Sequence, residues 1–266
     1  MEIGILIIGD EILSGKRKDQ HLENIIKILF KRGLQLSWAE YIRDDQQKIV
    51  QTLKRTFKKD NIVFSCGGIG STPDDLTRQS AAIALDLPLE LHPEAREKIY
   101  ERIKEAAIEN NTKPDYFSDL NLHRLKMGEF PKGAKIIPNP FNKIPGFFFH
   151  HGKNRAHYFV PGFPIMAQPM ISWALDTHHF KLFNKNKLVE KSVIVYNGIE
   201  SRLTPLMEEI EKNFKGIKIF SLPSITKINK RRFVELGVKG ELLIVEKAFL
   251  RMIKGLEALN EEFEQK

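Results

Sequence analysis

Short apolar runs alternate with amphipathic stretches through the first two thirds of the chain. The runs at 2–8 and 62–66 are almost continuously apolar, which is typical of strands buried on both faces of a sheet. A further strand is predicted at 36–41. Apolar residues recur at helical spacing between them, at Leu22, Ile25, Ile26 and Leu29 and then at Ile49, Val50, Leu53 and Phe57. This alternation over short connections predicts right-handed βαβ units and an α/β fold, a three-layer, doubly wound, mostly parallel sheet.

The mixture of helical and extended patterns continues to residue 178. Helices are predicted over 72–85, 93–108, 121–129 and 165–178. Short strands are predicted at 134–137, 147–150 and 156–160. A loop rich in proline and glycine at 138–146 and a tight turn at 161–164 interrupt these elements.

The pattern changes after the basic stretch 181–187. A strand at 188–196 is followed by a helix at 201–214, strands at 217–221 and 231–238, and a long helix at 242–263. This β-α-β-β-α order is typical of a small two-layer α+β module. We therefore expect two domains, residues 1–178 and residues 188–266.

Composition narrows the class of protein. The 266 residues are 42% apolar, which suits a full hydrophobic core, and the net charge of +8 favours anionic ligands in general. The single cysteine, Cys66, excludes an internal disulfide and fits a reducing compartment. No apolar run approaches the roughly 18 residues of a membrane helix, and the first residues do not resemble a signal peptide. A cytoplasmic protein without membrane association is expected.

Nucleic acid is an improbable partner on these grounds. The one dense basic cluster, at Lys227, Lys230, Arg231 and Arg232, has no interleaved aromatic residues on which bases could stack. We expect these side chains to be solvated.

The glycine-rich segment after the third strand is the first candidate site. Gly67, Gly68 and Gly70 lie between the strand and the sequence Thr72-Pro73-Asp74-Asp75, which predicts a helix with Thr72 as its N-cap. A glycine turn at a helix N-terminus can hold a phosphate through backbone N–H groups. Two aspartates beside a phosphate would repel it, so either a divalent cation lies between them or they only cap the helix.

Other polar residues admit a structural and a functional interpretation. Asp10 and Glu11 follow the first strand, where ligands bind in open α/β sheets. Asp44 and Gln47 have the spacing of a capping box, which the spacing alone favours over catalysis. The histidines lack the spacing of a metal site and are expected to be exposed loop residues: His150, His151, His157, His178 and His179.

Three motifs together resemble the N-terminal part of the CinA (competence/damage-inducible) family of the MoaB/Mog molybdopterin-binding superfamily. They are Gly-Asp-Glu-Ile-Leu-Ser-Gly at 9–15, Gly-Gly-Ile-Gly-Ser-Thr-Pro-Asp-Asp-Leu-Thr at 67–77 and Pro-Gly-Phe-Pro at 161–164. The resemblance covers residues 1–178, and the tail, with Gly-Ile-Glu-Ser at 198–201, resembles the KH-like module of such proteins. The deamidase domain that ends full-length CinA is not in this sequence, so its activity is not expected.

The resemblance implies roles for individual residues. Gly67, Gly68 and Gly70 would hold a pterin phosphate or a nucleotide pyrophosphate. Asp44 and Asp75 match the family's functional acids, whereas Asp74 falls where relatives vary. Further ligand-binding positions implied are Gly9, Ser14, Ile69, Ser71, Thr72, Asn139, Pro161 and Gly162.

The implied chemistry uses a divalent metal, Mg²⁺ or Co²⁺. Asp10, Asp44 and Asp75 would hold the metal, and Glu11 would orient a water molecule. Carboxylate oxygens suit such ions, and Mg²⁺ uses one or two carboxylates plus substrate phosphates.

Three functions follow from the resemblance. The first is metal-dependent hydrolysis of a pyrophosphate in an ADP-ribose-like nucleotide. The second is molybdopterin binding or adenylylation in molybdenum cofactor biosynthesis, which uses the same turn and acids. The third is an RNA- or nucleotide-binding adaptor, although a KH domain carries a Gly-x-x-Gly loop with basic residues and no such loop is predicted in the tail at 188–266. A homo-oligomer, either a dimer or a trimer, is expected.

Departures from the family pattern leave the substrate open. Ile165-Met166 replaces the usual Arg-Glu after the 161–164 turn, and Asp19-Gln20-His21 replaces Asp-Thr-Asn. The Gly-Thr-Ala of the Asn-x-x-Gly-Thr-Ala-Pro-Gly loop is replaced by Asn142-Lys143-Ile144. These positions would contact ligand groups away from the phosphates.

Overall fold

The computed structural model describes residues 2–59, 61–152, 155–184, 188–225 and 232–266. The chain divides into two compact units, Met1–Phe183 and Asn184–Lys266. Each is described by itself below.

The first unit alternates strands and helices along the chain. Its elements are β1 (Glu2–Ile8), α1 (Asp10–Leu13), α2 (His21–Phe30), β2 (Trp38–Ile42), α3 (Gln46–Phe57), β3 (Asn61–Cys66), α4 (Thr77–Leu85), β4 (Leu89–Leu91), α5 (Pro93–Glu109), α6 (Asp119–Lys126), β5 (Glu129–Pro131), β6 (Lys135–Ile137), β7 (Gly146–Gly152), β8 (Arg155–Val160) and α7 (Pro164–His178). A short 3₁₀ turn at Phe180–Leu182 ends the unit.

Six strands form the central sheet in the order β2-β1-β3-β8-β7-β6. Strands β2, β1, β3 and β8 are parallel, and β7 runs antiparallel to both of its neighbours. The mostly parallel α/β fold predicted from the sequence is confirmed. The antiparallel pair β4–β5 stands outside this sheet and was not predicted.

Neighbouring residues of the central strands pack on opposite faces of the sheet. On one face Phe64 and Tyr158 pack in a cluster with Leu29 of α2 and Leu175 of α7. On the other, Val63 lies in a cluster with residues of three helices, Leu53 of α3, Ala81 of α4 and Ala95 of α5. Because adjacent strand residues point to opposite sides, apolar runs such as β3 need helices on both faces, and this produces the three layers.

The start of α4 differs from the prediction. The helix begins at Thr77, not at Thr72, and its N-cap residue is Leu76. Asp75 accepts hydrogen bonds from the Thr72 backbone N–H (2.8 Å) and hydroxyl (2.5 Å), which closes a turn in place of a first helical turn. Thr72 as an N-cap was therefore wrong. Similarly, the predicted helix at 121–129 is α6, and Glu129 belongs to β5.

The second unit is an antiparallel sheet with two helices. Its elements are β9 (Leu188–Tyr196), α8 (Glu200–Asn213), β10 (Lys218–Ile225), β11 (Arg232–Glu241), α9 (Leu242–Ala258) and β12 (Phe263–Gln265), with strand order β10-β11-β9-β12. The predicted helix to residue 263 was too long, because Asn260 adopts a left-handed φ of 54° and Phe263 pairs with Val195. Of the basic cluster, Lys227, Lys230 and Arg231 lie outside the described residues.

Within the described ranges, none of the helices combines the length and apolar character needed to cross a membrane.

The prediction of exposed loop histidines is wrong for two of the five, although His150, in β7, is exposed. His157 and His179 are buried, and each is hydrogen bonded to a hydroxyl: His157 to Thr56 (3.0 Å) and His179 to Tyr158 (2.9 Å). Burial lowers the pKa of His157 well below its ordinary value and lowers the pKa of His179 to about 4. The folded protein therefore holds these rings in the neutral form.

We expect the free energy of unfolding to fall as the pH drops from about 6.5, the pKa in the unfolded chain, towards about 4, because the unfolded chain binds more protons in this window. Urea unfolding between these pH values measures the slope. The His179→Gln variant should show a weaker dependence of the free energy of unfolding on pH. His123 is an exposed histidine of α6, and the His123→Gln variant should keep the wild-type dependence. Equal slopes for both variants and the wild type would contradict this account.

Candidate functional site

The site lies where the carboxyl ends of four parallel strands meet. Loops that follow β1, β2, β3 and β8 line one cavity of about 570 Å³. All three sequence motifs contribute to its wall. An open α/β sheet binds its ligands at this edge, so the fold places the motifs where a ligand would be expected.

The glycine turn after β3 is seated tightly between two neighbouring strands. Gly67 has a φ of +110° and Gly68 a φ of +67°, which favour glycine. The Gly67 N–H donates to the Val160 carbonyl at the end of β8 (3.0 Å). On the other side, a Cβ atom at position 67 would overlap the Ile8 carbonyl oxygen at the end of β1. The backbone can pass through this space only without a side chain.

The first residues of α4 hold the carbonyl groups of this turn. The Thr77 hydroxyl donates to the Gly67 carbonyl (2.9 Å), and the Thr77 N–H donates to the Gly68 carbonyl (2.9 Å). The Arg78 guanidinium donates to the Gly70 carbonyl (2.5 Å). Both side chains are buried, so three carbonyl groups of the turn point into the protein.

The N–H groups that follow these carbonyls point the other way. In a trans peptide the C=O and the next N–H are antiparallel, so the N–H groups of Gly68, Ile69 and Ser71 face the cavity that these residues line. In the described part of the chain, no hydrogen bond uses these three groups as donors. Converging free N–H groups form a concave site for an anion.

Asp75 closes the far end of the turn. Its Oδ2 atom accepts both hydrogen bonds from Thr72, and a Cβ atom at Gly70 would lie only 2.5 Å from it. Asp75 lines the cavity, as the resemblance implied, but one of its oxygens is engaged in shaping the backbone. Thr72 also lines the cavity, although its N–H is no longer available to a phosphate.

Asp44 faces the cavity from the loop after β2. Its Oδ2 atom accepts a hydrogen bond from the Asp10 N–H (2.8 Å). The N-cap of α3 is the next residue, Asp45, whose side chain accepts a hydrogen bond from the Lys48 N–H (3.0 Å). The capping box of Asp44 and Gln47 was therefore wrong by one residue. Burial raises the pKa of the Asp44 carboxyl, and so do the negative charges of Asp10, Glu11 and Asp74. The hydrogen bond from the Asp10 backbone N–H acts in the opposite direction and lowers it.

Asp10 does not line the main cavity, although it lies beside Asp44 and shares a neighbouring cavity with Glu11 and Asp44. Its carboxylate pairs with Arg43 (3.0 Å), which lowers its pKa, and it lines a neighbouring cavity together with Ser14. Ser14, predicted as a ligand contact, is not among the residues that line the main cavity. The other predicted phosphate and nucleotide contacts all line it: Gly9, Gly67, Gly68, Ile69, Gly70, Ser71, Thr72, Asn139, Pro161 and Gly162.

The predicted metal ligands Asp10, Asp44 and Asp75 do not form one ligand set. Among the described residues no group of three or more His, Cys, Asp or Glu side chains is arranged to hold a metal ion. Glu11, Asp44 and Asp75 nevertheless line the same cavity as the glycine turn. This donor chemistry fits a hard divalent ion that arrives with a phosphate ligand, since Mg²⁺ needs only one or two carboxylates in such a site.

Several cavity residues were missed from the sequence. Asp74, set aside as variable, lines both cavities. The Arg17 guanidinium lies 5.8 Å from the centroid of the Phe163 ring, and both residues line the main cavity. No ion pair of Arg17 occurs in the described ranges, although four carboxylates line the same cavity. A basic residue two positions after the 9–15 motif was the available signal for Arg17.

Comparisons with known proteins agree with this architecture. A family model described as "Probable molybdopterin binding domain" matches residues 4–178. A protein of Caldivirga maquilingensis is 28% identical over 217 residues, which cover 82% of this chain and 79% of that protein. A protein of Anaeromyxobacter dehalogenans named CinA-like is 30% identical over 165 residues, which cover 62% of this chain and 38% of that protein.

The chain spans about half the length of some of these relatives. A relative in Alkaliphilus metalliredigens, whose name refers to competence-damage induction, is 29% identical over 213 residues, and the chain spans 48% of its length. Among solved structures, the CinA protein of Thermoplasma acidophilum, described as of unknown function, superposes with a TM-score of 0.55 at 23% identity. The match covers 66% of this chain and 98% of that one, and it supports the fold alone.

Substitution of Gly67 tests the packing of the turn. We expect Gly67→Ala to lower the free energy of unfolding by about 1–3 kcal/mol more than Gly133→Ala, because a methyl group at 67 must displace the Ile8 backbone. Gly133 also has a positive φ, of 83°, but open space around it, so it controls for backbone strain. Urea unfolding of the two variants provides the comparison, and equal losses would contradict the proposed overlap.

Proposed function

Because this chain belongs, through residues 4–178, to the family of probable molybdopterin binding domains and is CinA-like, we propose that it binds a pyrophosphate-containing nucleotide and hydrolyses it with a divalent metal ion. One observation carries the proposal. The cavity at the strand ends combines a glycine-rich turn, whose carbonyl groups point into the protein, with the carboxylates of Glu11, Asp44 and Asp75.

The turn would hold one phosphate group of the ligand. The N–H groups of Gly68, Ile69 and Ser71 would donate hydrogen bonds to its oxygens. These hydrogen bonds would take the place of those that the free anion accepts from water. Arg17, stacked against Phe163 and without an ion pair in the described part of the chain, would contact the second phosphate. A pyrophosphate can use both groups of donors at once.

The acids would surround the reacting bond. The Asp44 carboxylate is partly desolvated and has acidic neighbours, so a cation beside it would relieve repulsion. When bound there with the substrate, Mg²⁺ or Co²⁺ would neutralise charge on the pyrophosphate and lower the pKa of a water molecule. Glu11, whose carboxylate lies against Gly9, would orient the attacking water. Asp75 would keep the turn in its binding shape and offer its other oxygen to the cation.

Molybdopterin binding or adenylylation is the second candidate, and the description of the family favours it. A pterin phosphate would use the same N–H groups. The two candidates differ in what is consumed. Purified protein incubated with ADP-ribose and Mg²⁺, and separately with ATP and molybdopterin, distinguishes them by the product formed.

The remaining expectations concern the location of the protein in the cell, its assembly and an adaptor role of the tail. A cytoplasmic location is proposed because Cys66 is a free, buried thiol, which suits a reducing compartment. Assembly into a dimer or trimer remains a prediction. An adaptor role through the tail lacks support, since the Gly-x-x-Gly sequence at 237–240 lies within strand β11 and not in a loop.

The proposed role of Asp44 can be tested against its neighbour. We expect Asp44→Asn to lower kcat/KM for ADP-ribose roughly 100-fold or more, in line with the loss of a group that acts in the transition state. Asp45→Asn removes the same charge one residue away and should change kcat/KM less than about twofold, since asparagine also caps helices. Steady-state kinetics at saturating Mg²⁺ give both values. Similar kcat/KM for the two variants would count against the assignment.

A further inference from the structure

A buried arginine stands directly behind the glycine turn. Arg78, in the first turn of α4, is only 4% exposed. One arm of its guanidinium donates to the Gly70 carbonyl (2.5 Å), and the other donates to the Lys126 carbonyl at the end of α6. Its Nε atom is buried without a hydrogen-bond partner in the described part of the chain.

The charge of this side chain is not neutralised by a carboxylate in contact. No ion pair of Arg78 is found in the described ranges, and the negative charges that act on it are those of Asp75 and Glu129. Burial lowers the pKa of the guanidinium and these two acids oppose the shift, so it stays protonated. A buried cation with only carbonyl partners and an unsatisfied N–H is costly to the folded state. Ionisable groups with strongly perturbed surroundings cluster at functional sites, which makes Arg78 a candidate for such a group.

We propose that Arg78 is a positioning residue of the anion site, which turns the Ser71 N–H towards the ligand and places behind it a positive charge that has no carboxylate in contact. The proposal rests on the function proposed above for the same cavity. The ligand class it favours is a multiply charged phosphate compound, such as a pyrophosphate.

Two physical effects carry the proposal. By pulling the Gly70 carbonyl inward, Arg78 fixes the plane of the peptide that ends in the Ser71 N–H. Its charge also acts across a short, poorly screened path, because the intervening backbone excludes water. The second effect grows with the charge of the ligand, whereas loss of turn shape alone would weaken all anions alike.

The experiment compares two probes of different charge, inorganic pyrophosphate and orthophosphate, both measured in the presence of Mg²⁺. Calorimetry should show that Arg78→Gln weakens pyrophosphate binding by about 10- to 100-fold, the range expected for a hydrogen bond to a charged group. Orthophosphate binding should weaken by a smaller factor. Arg78→Lys keeps the positive charge, so it should recover most of the affinity for pyrophosphate that Arg78→Gln loses beyond its loss for orthophosphate. Arg96→Gln, which removes an exposed arginine of α5, is the matched control and should leave both affinities unchanged.

The possible outcomes separate this inference from the function. Equal affinities of wild type and Arg78→Gln for pyrophosphate, or equal weakening of both probes, would overturn the role of Arg78 alone. A wild-type protein that binds neither probe would overturn the anion site and this inference with it. If Arg78→Gln does not fold, backbone NMR of the wild type and Arg78→Lys replaces it. Pyrophosphate should then shift the Ser71 amide signal in both, and an unmoved signal would overturn the proposal.

Discussion

The orientation of a few peptide groups is the constraint on which the site depends. Between β3 and α4 the chain must turn in a space bounded by the backbones of β1 and β8, and only glycine fits at Gly67. Once the turn is there, Thr77 and Arg78 bind its carbonyl oxygens from within. The free N–H groups are then directed to the cavity without any side chain that must be ordered by the ligand, so the cost of ordering is met during folding.

Charge in the cavity is divided in a way that suits a phosphate ligand with a cation. Four carboxylates line the cavity, while positive potential comes from the backbone, from Arg17 at the surface and from buried Arg78. A phosphate alone would meet repulsion from Asp44 and its acidic neighbours, and a cation alone would find no complete ligand set in the described residues. The two together would satisfy both halves of the site, which is the physical basis of the function proposed.

Two of three differences from the sequence-based predictions come from a partner that is distant in sequence. Asp44 and Asp45 have almost the same local sequence environment, and the cap falls on Asp45 because the Asp10 N–H, 34 residues away, occupies Asp44. The helix after the glycines begins at Thr77 because Asp75 closes a turn on Thr72. His157 is buried because β8 is a central strand with Thr56 packed against it. In the first and last cases the deciding partner is distant in sequence, so local pattern could not identify it.

The sequence by itself determined the alternation of strands and helices, the parallel character of the sheet and the positions of the three motifs, because apolar periodicity and glycine placement are local properties. It also indicated a phosphate-binding turn at Gly67–Ser71. Only the tertiary structure decided which acids share the cavity with that turn, separated Asp10 and Ser14 from it, and added Asp74 and Arg17 to its wall. It also showed that Arg78 lies behind the turn. These facts depend on which strand ends lie side by side, and strand order is a property of the packed core rather than of any one segment.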